Sequence, residues 1–345
     1  MKIVIAILIF SVIIAIHELG HFTAAKLFKV RVNEFAIGMG PAIFKRKKGE
    51  TQYSLRLFPI GGFCSFEGED ADSNDEHSLQ NIKTWQKIII LASGAVMNII
   101  LGFILIVIIT SSGGNIASTT IGGFYDNAKS HQTGLEADDK IMKINGSPIF
   151  IDGDISYQFM NDEDAVFNIE VIRNGEKVNL ENVQFDTVKS DESSKQRMII
   201  DFKVKPIKKN ILTVLDYSVK KTVYVSKIVI VSLTDIIKGK YKLNDLSGPV
   251  GIVNAIGEVI VPTKTFMENV KMIVDMAIFI TINVGIFNLI PLPALDGGRI
   301  IIRIGEGISR KRLKPEIEGG IHFVGLALLM LLMVVVTFND LTKNI

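Results

Sequence analysis

Four long apolar stretches constrain the fold of this chain of 345 residues. They lie at residues 1–28, 88–112, 272–297 and 319–339, and each approaches the roughly 20 apolar residues that a helix needs to cross a bilayer. The composition is 48% hydrophobic with a mean hydropathy of +0.35, which is high for a soluble protein. We therefore predict a polytopic α-helical membrane protein with about four transmembrane helices.

The first stretch also has features of a secretory signal peptide, because Lys2 precedes its apolar core. No clear small-residue cleavage site follows that core. We therefore predict that residues 1–28 are retained as the first membrane span.

A fifth apolar stretch, residues 211–237, carries charged side chains along its whole length. A charge at the centre of a bilayer is costly, so these residues disfavour a membrane span. We predict that residues 207–271 form an amphipathic helix on the membrane surface followed by a linker. The alternative, in which this stretch crosses the membrane, would change the topology that follows.

The distribution of basic residues predicts the orientation of the chain. Lysines and arginines are concentrated in residues 29–87 and 298–318, and such loops usually face the cytoplasm. With four spans the two loops lie on the same side, so residues 113–206 are expected outside the cell and residues 340–345 form a short C-terminal tail. The formal net charge is only +2, which gives no argument for a nucleic-acid partner.

Two segments between the predicted spans have β patterns. In residues 29–87, Tyr53, Leu55 and Leu57 alternate with polar residues, and a plausible turn at residues 47–50 precedes them, which predicts a β-hairpin. Residues 67–77 are acidic and indicate a solvated loop. Residues 113–206 combine short β-rich runs with Asn-Gly turns at 145–146 and 174–175, which predicts a compact β-rich domain.

The first predicted span ends with the sequence HELGH, residues 17–21. On a helix, positions i and i+4 share a face, so His17 and His21 can bind one metal ion through two imidazoles. Glu18 lies beside them, where it can take a proton from a metal-bound water. Zinc suits such a site. The alternative interpretation is a polar helix end without a metal, in which the two histidines lie at the level of the lipid headgroups.

A catalytic zinc needs a third protein ligand, and the sequence offers several. Asp296 follows a proline-broken stretch at the end of the third predicted span, at a depth similar to that of the two histidines. An ordinary interfacial carboxylate is the alternative role for Asp296. Other candidates lie in the first loop, namely Glu34, Glu50, Glu67 and Cys64. Those candidates would belong to a membrane-anchored zinc protease with a soluble active domain.

Seven motifs along the chain resemble the site-2 protease family of intramembrane zinc metalloproteases, in its bacterial form with a single PDZ domain. The resemblance covers nearly the whole chain. The motifs are HELGH at 17–21, FAIGMGP at 35–41, GETQYSLRLFPIGGF at 49–63, ASGAVMNIILG at 92–102, TGLEADDKIMKINGSPI at 133–149, SGPVGI at 247–252 and NLIPLPALDGGR at 288–299.

The resemblance implies roles for individual residues. His17, His21 and Asp296 match the zinc ligands of the family, and Glu18 matches its catalytic glutamate, so Zn²⁺ is the expected cofactor. Other matching positions are expected to contact or receive the substrate. They are Asn288, Pro291 and Pro293 near the third ligand, and Gly61 and Gly62 in a membrane-associated β-hairpin.

The resemblance also implies an activity. It predicts an endopeptidase of the bacterial cytoplasmic membrane that cuts single-span proteins, such as anti-sigma factors or signal-peptide remnants, within or near their span. Residues 113–206 would form an extracytoplasmic PDZ-like α+β domain, and the active site would lie toward the cytoplasmic face. A PDZ-bearing membrane adaptor without catalysis is a second alternative, although a purely structural zinc site needs no base at Glu18.

Overall fold

The computed structural model describes residues 2–69, 73–162, 164–190, 193–240, 247–259 and 264–343. Parts of the predicted acidic loop and of the predicted linker, and the end of the C-terminal tail, lie outside these ranges. The helices are α1 Lys2–Leu27, α2 Thr84–Ser112, α3 Lys129–Gln132, α4 Asp152–Met160, α5 Ile211–Ile237, α6 Pro249–Val259, α7 Phe266–Asn288, α8 Asp296–Ser309 and α9 Pro315–Lys343. The strands are β1 Val32–Lys48, β2 Thr51–Phe66, β3 Ile116–Phe124, β4 Lys140–Ile144, β5 Ser147–Pro148, β6 Val166–Arg173, β7 Glu176–Gln184, β8 Thr187–Ser190, β9 Ser193–Met198 and β10 Phe202–Ile207.

The chain divides into two compact units, which are described separately. The first comprises Met1–Leu105 with Ser226–Ile345, and the second comprises Ile106–Val225. Among the described residues, four helices are long and apolar enough to cross a membrane, namely α1, α2, α7 and most of α9. Helix α5 is not one of these four helices. Its bounds coincide with those of the predicted amphipathic stretch, residues 211–237.

The third predicted span needs a correction. Residues 272–297 do not form one helix, because α7 begins at Phe266 and ends at Asn288, and Asp296 is the first residue of α8. Pro291 and Pro293 explain the break, since proline lacks a backbone N–H and disfavours a helical residue before it. The predicted linker also contains a helix that the sequence did not indicate, α6.

Strands β1 and β2 form a more elaborate sheet than the predicted hairpin. Residues 34–37 pair with 62–65 in antiparallel register and with 52–55 in parallel register, and residues 42–48 pair with 51–56 across the expected turn. Each strand therefore bends and contributes twice to one small mixed sheet. Gly38 and Gly61 lie in the bends at φ +87° and +88°, values that favour glycine.

The sheet is attached to the end of α1 by a small apolar cluster. Ala25 of α1, Val30 and Val32 after it, and Ile90 of α2 are almost fully buried there, together with Phe66 of β2. Burial of such side chains contributes about 25 cal/mol per Å² of apolar surface. This cluster fixes the free edge of residues 62–66 beside α1.

The second unit contains the predicted β-rich domain. Its main sheet has the order β10-β3-β4-β6-β7, with β5 beside β4, and every pairing is antiparallel. The Asn-Gly turn prediction is confirmed, because Asn145, Gly146, Asn174 and Gly175 all have positive φ and join paired strands. A core that includes Phe159, Phe167 and Phe185 fills the interior. The assignment of this domain to the PDZ class stays a prediction.

Candidate metal centre

His17 and His21 lie on consecutive turns of α1 and face α2. Their Nε2 atoms are 3.1 Å apart, and both side chains are buried. Two glycines allow α1 and α2 to approach at this point. A Cβ on Gly20 would lie 2.4 Å from the carbonyl oxygen of Ser93, and a Cβ on Gly94 would lie 2.4 Å from Nε2 of His21.

Asp296 brings a carboxylate to the same point from the start of α8. Its Oδ2 atom lies 3.1 Å from Nε2 of His17 and 3.4 Å from Nε2 of His21. These are the three residues whose side chains could together hold a metal ion in the described part of the chain. The structure therefore brings the two histidines and the predicted carboxylate together.

The spacing of the three atoms fits zinc. Ligand atoms in a tetrahedral site with zinc bonds of about 2.0–2.1 Å lie about 3.3–3.4 Å from one another. The distances among Nε2 of His17, Nε2 of His21 and Oδ2 of Asp296 are 3.1–3.4 Å. Two imidazoles and one carboxylate also match a common donor set of catalytic zinc, which leaves a fourth position for water or substrate.

The ring of His21 is oriented by the backbone of α2. Its Nδ1 atom lies 2.8 Å from the carbonyl oxygen of Ile90, a buried contact in which the Nδ1–H donates. A proton on Nδ1 leaves the lone pair on Nε2, so this tautomer is the one that binds a metal.

Asn98 provides a similar contact for His17. Its Nδ2 atom lies 3.4 Å from Nδ1 of His17, the residue is completely buried, and Oδ1 has no hydrogen-bond partner among the described residues. Turning the amide over places Oδ1 toward Nδ1, which removes the unpaired buried oxygen. Nδ1–H of His17 then donates to Asn98, and Nε2 keeps its lone pair for a metal.

The segment between α7 and α8 fixes the position of Asp296. Ala294 has φ +75°, an uncommon value for a residue with a side chain, and its N–H donates to Nδ1 of His322 in α9 over 3.0 Å. Gly325 of α9 lies so close to Pro293 that a Cβ there would be 2.3 Å from the proline ring. Helix α9 thus supports the turn that carries the carboxylate.

Glu18 lies between the two histidines in sequence and faces the sheet edge. A Cβ on Gly62 would lie 3.3 Å from Cγ of Glu18 and 3.4 Å from Ile14. The free edge of residues 62–66 therefore runs beside the glutamate. Gly61 packs instead against the side chain of Met39.

The alternative third ligands in the first loop do not belong to the cluster of His17, His21 and Asp296, and they have other partners. Glu34 accepts from Arg56, Glu50 pairs with Lys26, and Glu67 accepts from Asn33. Cys64 is buried, and burial raises the pKa of its thiol, which disfavours the thiolate that binds metals. The geometry does not favour a soluble-type site in this loop.

Of the remaining predicted residues, the structure assigns a clear contact only to Pro293. Asn288 ends α7 and is half-buried, and Pro291 is exposed. Within the described ranges, no hydrogen bond joins either residue to the metal-binding atoms. Sequence reasoning gave no role to Asn98, Ile90 or His322, whose contacts depend on helix packing.

Comparisons with known proteins identify the family of the chain. Residues 5–332 match the family model for peptidase family M50. A Clostridium acetobutylicum protein, provisionally named a zinc metalloprotease, is 37% identical over 100% of this chain and 98% of its own length. A Bacillus subtilis protein named regulator of sigma-W protease RasP is 29% identical over 98% of this chain and 97% of its own length.

These similarities cover all four apolar helices and the HELGH motif. The match to the family model and the 37% identity over the whole chain are each sufficient to assign the family. The chain belongs to peptidase family M50, and it is a zinc-dependent metalloendopeptidase with several membrane helices.

Proposed function

We propose that this protein is an intramembrane endopeptidase that cuts single-span membrane proteins within or near their span. The observation that carries the proposal is the position of the metal-binding atoms. His17 and His21 belong to α1, a helix able to cross a membrane, and not to a soluble domain. Ionisable residues inside such a helix are costly and usually functional.

In this proposal His17, His21 and Asp296 hold the zinc ion. When bound, zinc would act as a Lewis acid, which lowers the pKa of water and polarises a carbonyl group. The carboxylate of Glu18 accepts a proton from the attacking water and delivers it to the nitrogen of the leaving amine. Asn98 and the Ile90 carbonyl hold the two imidazole rings in the orientation that directs Nε2 toward the centre.

The free edge of residues 62–66 is proposed to bind the substrate. A helical substrate exposes no backbone N–H or C=O, so it must unwind before its peptide bond can be attacked. An extended segment can add to this edge as a further strand, which provides backbone hydrogen bonds. The proximity of Gly62 to Glu18 supports this, because the added strand would lie next to the base.

The proposed setting is the bacterial cytoplasmic membrane, with the loops rich in basic residues and the zinc site toward the cytoplasm. Residues 113–206, the proposed PDZ-like domain, would then lie outside the cell and act on substrates whose outer part has already been removed. The name of the Bacillus subtilis relative supports anti-sigma factors as one substrate class, and signal-peptide remnants are another.

Cleavage in liposomes tests this proposal. Purified protein is reconstituted with a single-span model substrate, and the cut is mapped by mass spectrometry, with Glu18→Gln as the inactive control. The proposal predicts a cut within or near the span that requires Glu18. Cleavage of an unfolded soluble protein, with the single-span substrate left intact, would contradict it.

A further inference from the structure

A second site in the first unit consists of a cavity of about 220 Å³ away from the metal centre. We call it the basic cavity, and it lies at the N-terminal ends of α2 and α9 and beside α8. Its charged lining includes Lys87, Arg303, Arg312 and Lys314, together with three glutamates.

The three glutamates of the basic cavity form ion pairs with two arginines. Glu69 pairs with Arg299 of α8. Arg303 binds the other two, with one nitrogen 2.9 Å from Glu306 and another 2.7 Å from Glu318. Counted together with Arg299, the cavity has five cations and three carboxylates, so a net charge of +2 favours a bound anion.

The other three cations have no such partner. Within the described residues, Lys87, Arg312 and Lys314 make no ion pair with a carboxylate. Lys87 is only 8% exposed, and its Nζ lies 3.0 Å from the carbonyl oxygen of Gln80. Arg312 donates to the same oxygen. Two positive groups therefore converge on one carbonyl oxygen, and the repulsion between them favours an anion that contacts both.

The surrounding backbone also favours an anion. Lys87 lies in the first turn of α2, where the helix dipole attracts negative charge. Because α2 and α9 are both candidate membrane spans that begin at this cavity, we expect the cavity to lie at the level of lipid headgroups.

We propose that the basic cavity binds a phosphate group, carried by an anionic phospholipid headgroup or present as free phosphate. Lys87 and Arg312 would hold its oxygens through charge-assisted hydrogen bonds, and Lys314 would add charge at the rim. The cavity volume accommodates one such group. This site is separate from the zinc chemistry and does not depend on the proposed function.

Lipid binding to the full chain in an uncharged detergent tests this site. Dioctanoyl phosphatidylglycerol, dioctanoylglycerol without a phosphate, and inorganic phosphate are titrated separately, and bound species are measured by native mass spectrometry and thermal unfolding. The test variant is Arg312→Gln with Lys314→Gln, since both side chains are exposed. The matched control is Arg310→Gln with Lys311→Gln, which removes the same charge from the same loop outside the cavity. Lys87→Gln probes the buried cation.

The expected result is preferential binding of phosphatidylglycerol over dioctanoylglycerol, weakened about tenfold per cation removed in the test variants and unchanged in the control. Binding of inorganic phosphate that is lost in the same variants, without preference for the lipid, would identify free phosphate as the source. Equal losses in the test and control variants, or no phosphate-dependent binding by the natural sequence, would overturn the proposal.

Discussion

Gly94 leaves no room for a side chain beside His21. A Cβ at this position would lie 2.4 Å from Nε2 of His21 and 2.7–2.8 Å from the ring of His17, on the side where the metal-binding atoms converge. The glycine therefore allows α2 to approach α1 without blocking the imidazoles. We therefore expect the candidate metal centre to depend on this close approach as well as on His17, His21 and Asp296.

Gly94→Ala is expected to weaken zinc binding by about 10–100-fold, since overpacking of a tight contact costs about 1–3 kcal/mol. The measurement is a competition titration with a zinc chelator on purified protein. Val96→Ala is the matched control, because Val96 lies on the same helix and is 46% exposed. Equal zinc affinity in Gly94→Ala and Val96→Ala would show that the close approach is not needed.

Asn98→Ala is expected to weaken zinc binding by about 10–100-fold, as loss of an outer-shell partner of a metal-bound histidine typically does. The reason is that His17 would lose the acceptor that keeps its proton on Nδ1. Asn98→Asp retains an oxygen acceptor and should bind zinc better than Asn98→Ala. If both variants bound zinc as the natural sequence does, Asn98 would have no part in orienting the ring.

His322→Leu is expected to displace the turn that carries Asp296. Removing Nδ1 leaves the partly buried N–H of Ala294 without this acceptor, at a cost of up to about 1–3 kcal/mol. His322→Asn keeps an acceptor near the same place and should preserve most of the zinc affinity. Zinc content after dialysis distinguishes the two variants. Full zinc retention by His322→Leu would contradict a role of His322 in positioning Asp296.

Much of the candidate site could be predicted from the spacing of residues in the sequence. The remainder depends on how the helices pack against one another. The i, i+4 spacing of His17 and His21 predicts a shared helix face, and matched depths in the two predicted spans place Asp296 near it. The helix assignment of Asp296 was wrong, because Pro291 and Pro293 end α7 earlier. The partners of the ligands could not be predicted, since they depend on how separate helices meet.

The fold likewise has features that local sequence predicts and features that depend on tertiary packing. Short-range signals were sufficient for the Asn-Gly turns and for the four apolar helices. The double pairing of residues 34–37 was not predictable, because nothing local indicates that β1 and β2 bend and pair twice. Helix α6 was also not predicted, and in the structure it packs against α1, α7 and α9.

Arg173→Met is expected to destabilise the β-rich domain by about 3–5 kcal/mol, because it leaves a buried carboxylate unpaired. Arg173 makes two bonds of 2.7 Å to Asp139, which is 0% exposed. Pulse proteolysis in urea measures the change on the full chain. Lys177→Met, an exposed change in β7, should alter stability by less than about 0.5 kcal/mol. Similar stabilities of the two variants would contradict this account of the ion pair.

The most direct test of the central claim measures zinc content and cleavage together in Glu18→Gln and Asp296→Ala. The account predicts that Glu18→Gln keeps its zinc and loses cleavage of a single-span substrate, because the base is removed and the ligands remain. It predicts that Asp296→Ala loses both. Full zinc and normal cleavage in Asp296→Ala would contradict the account and would place the third ligand elsewhere.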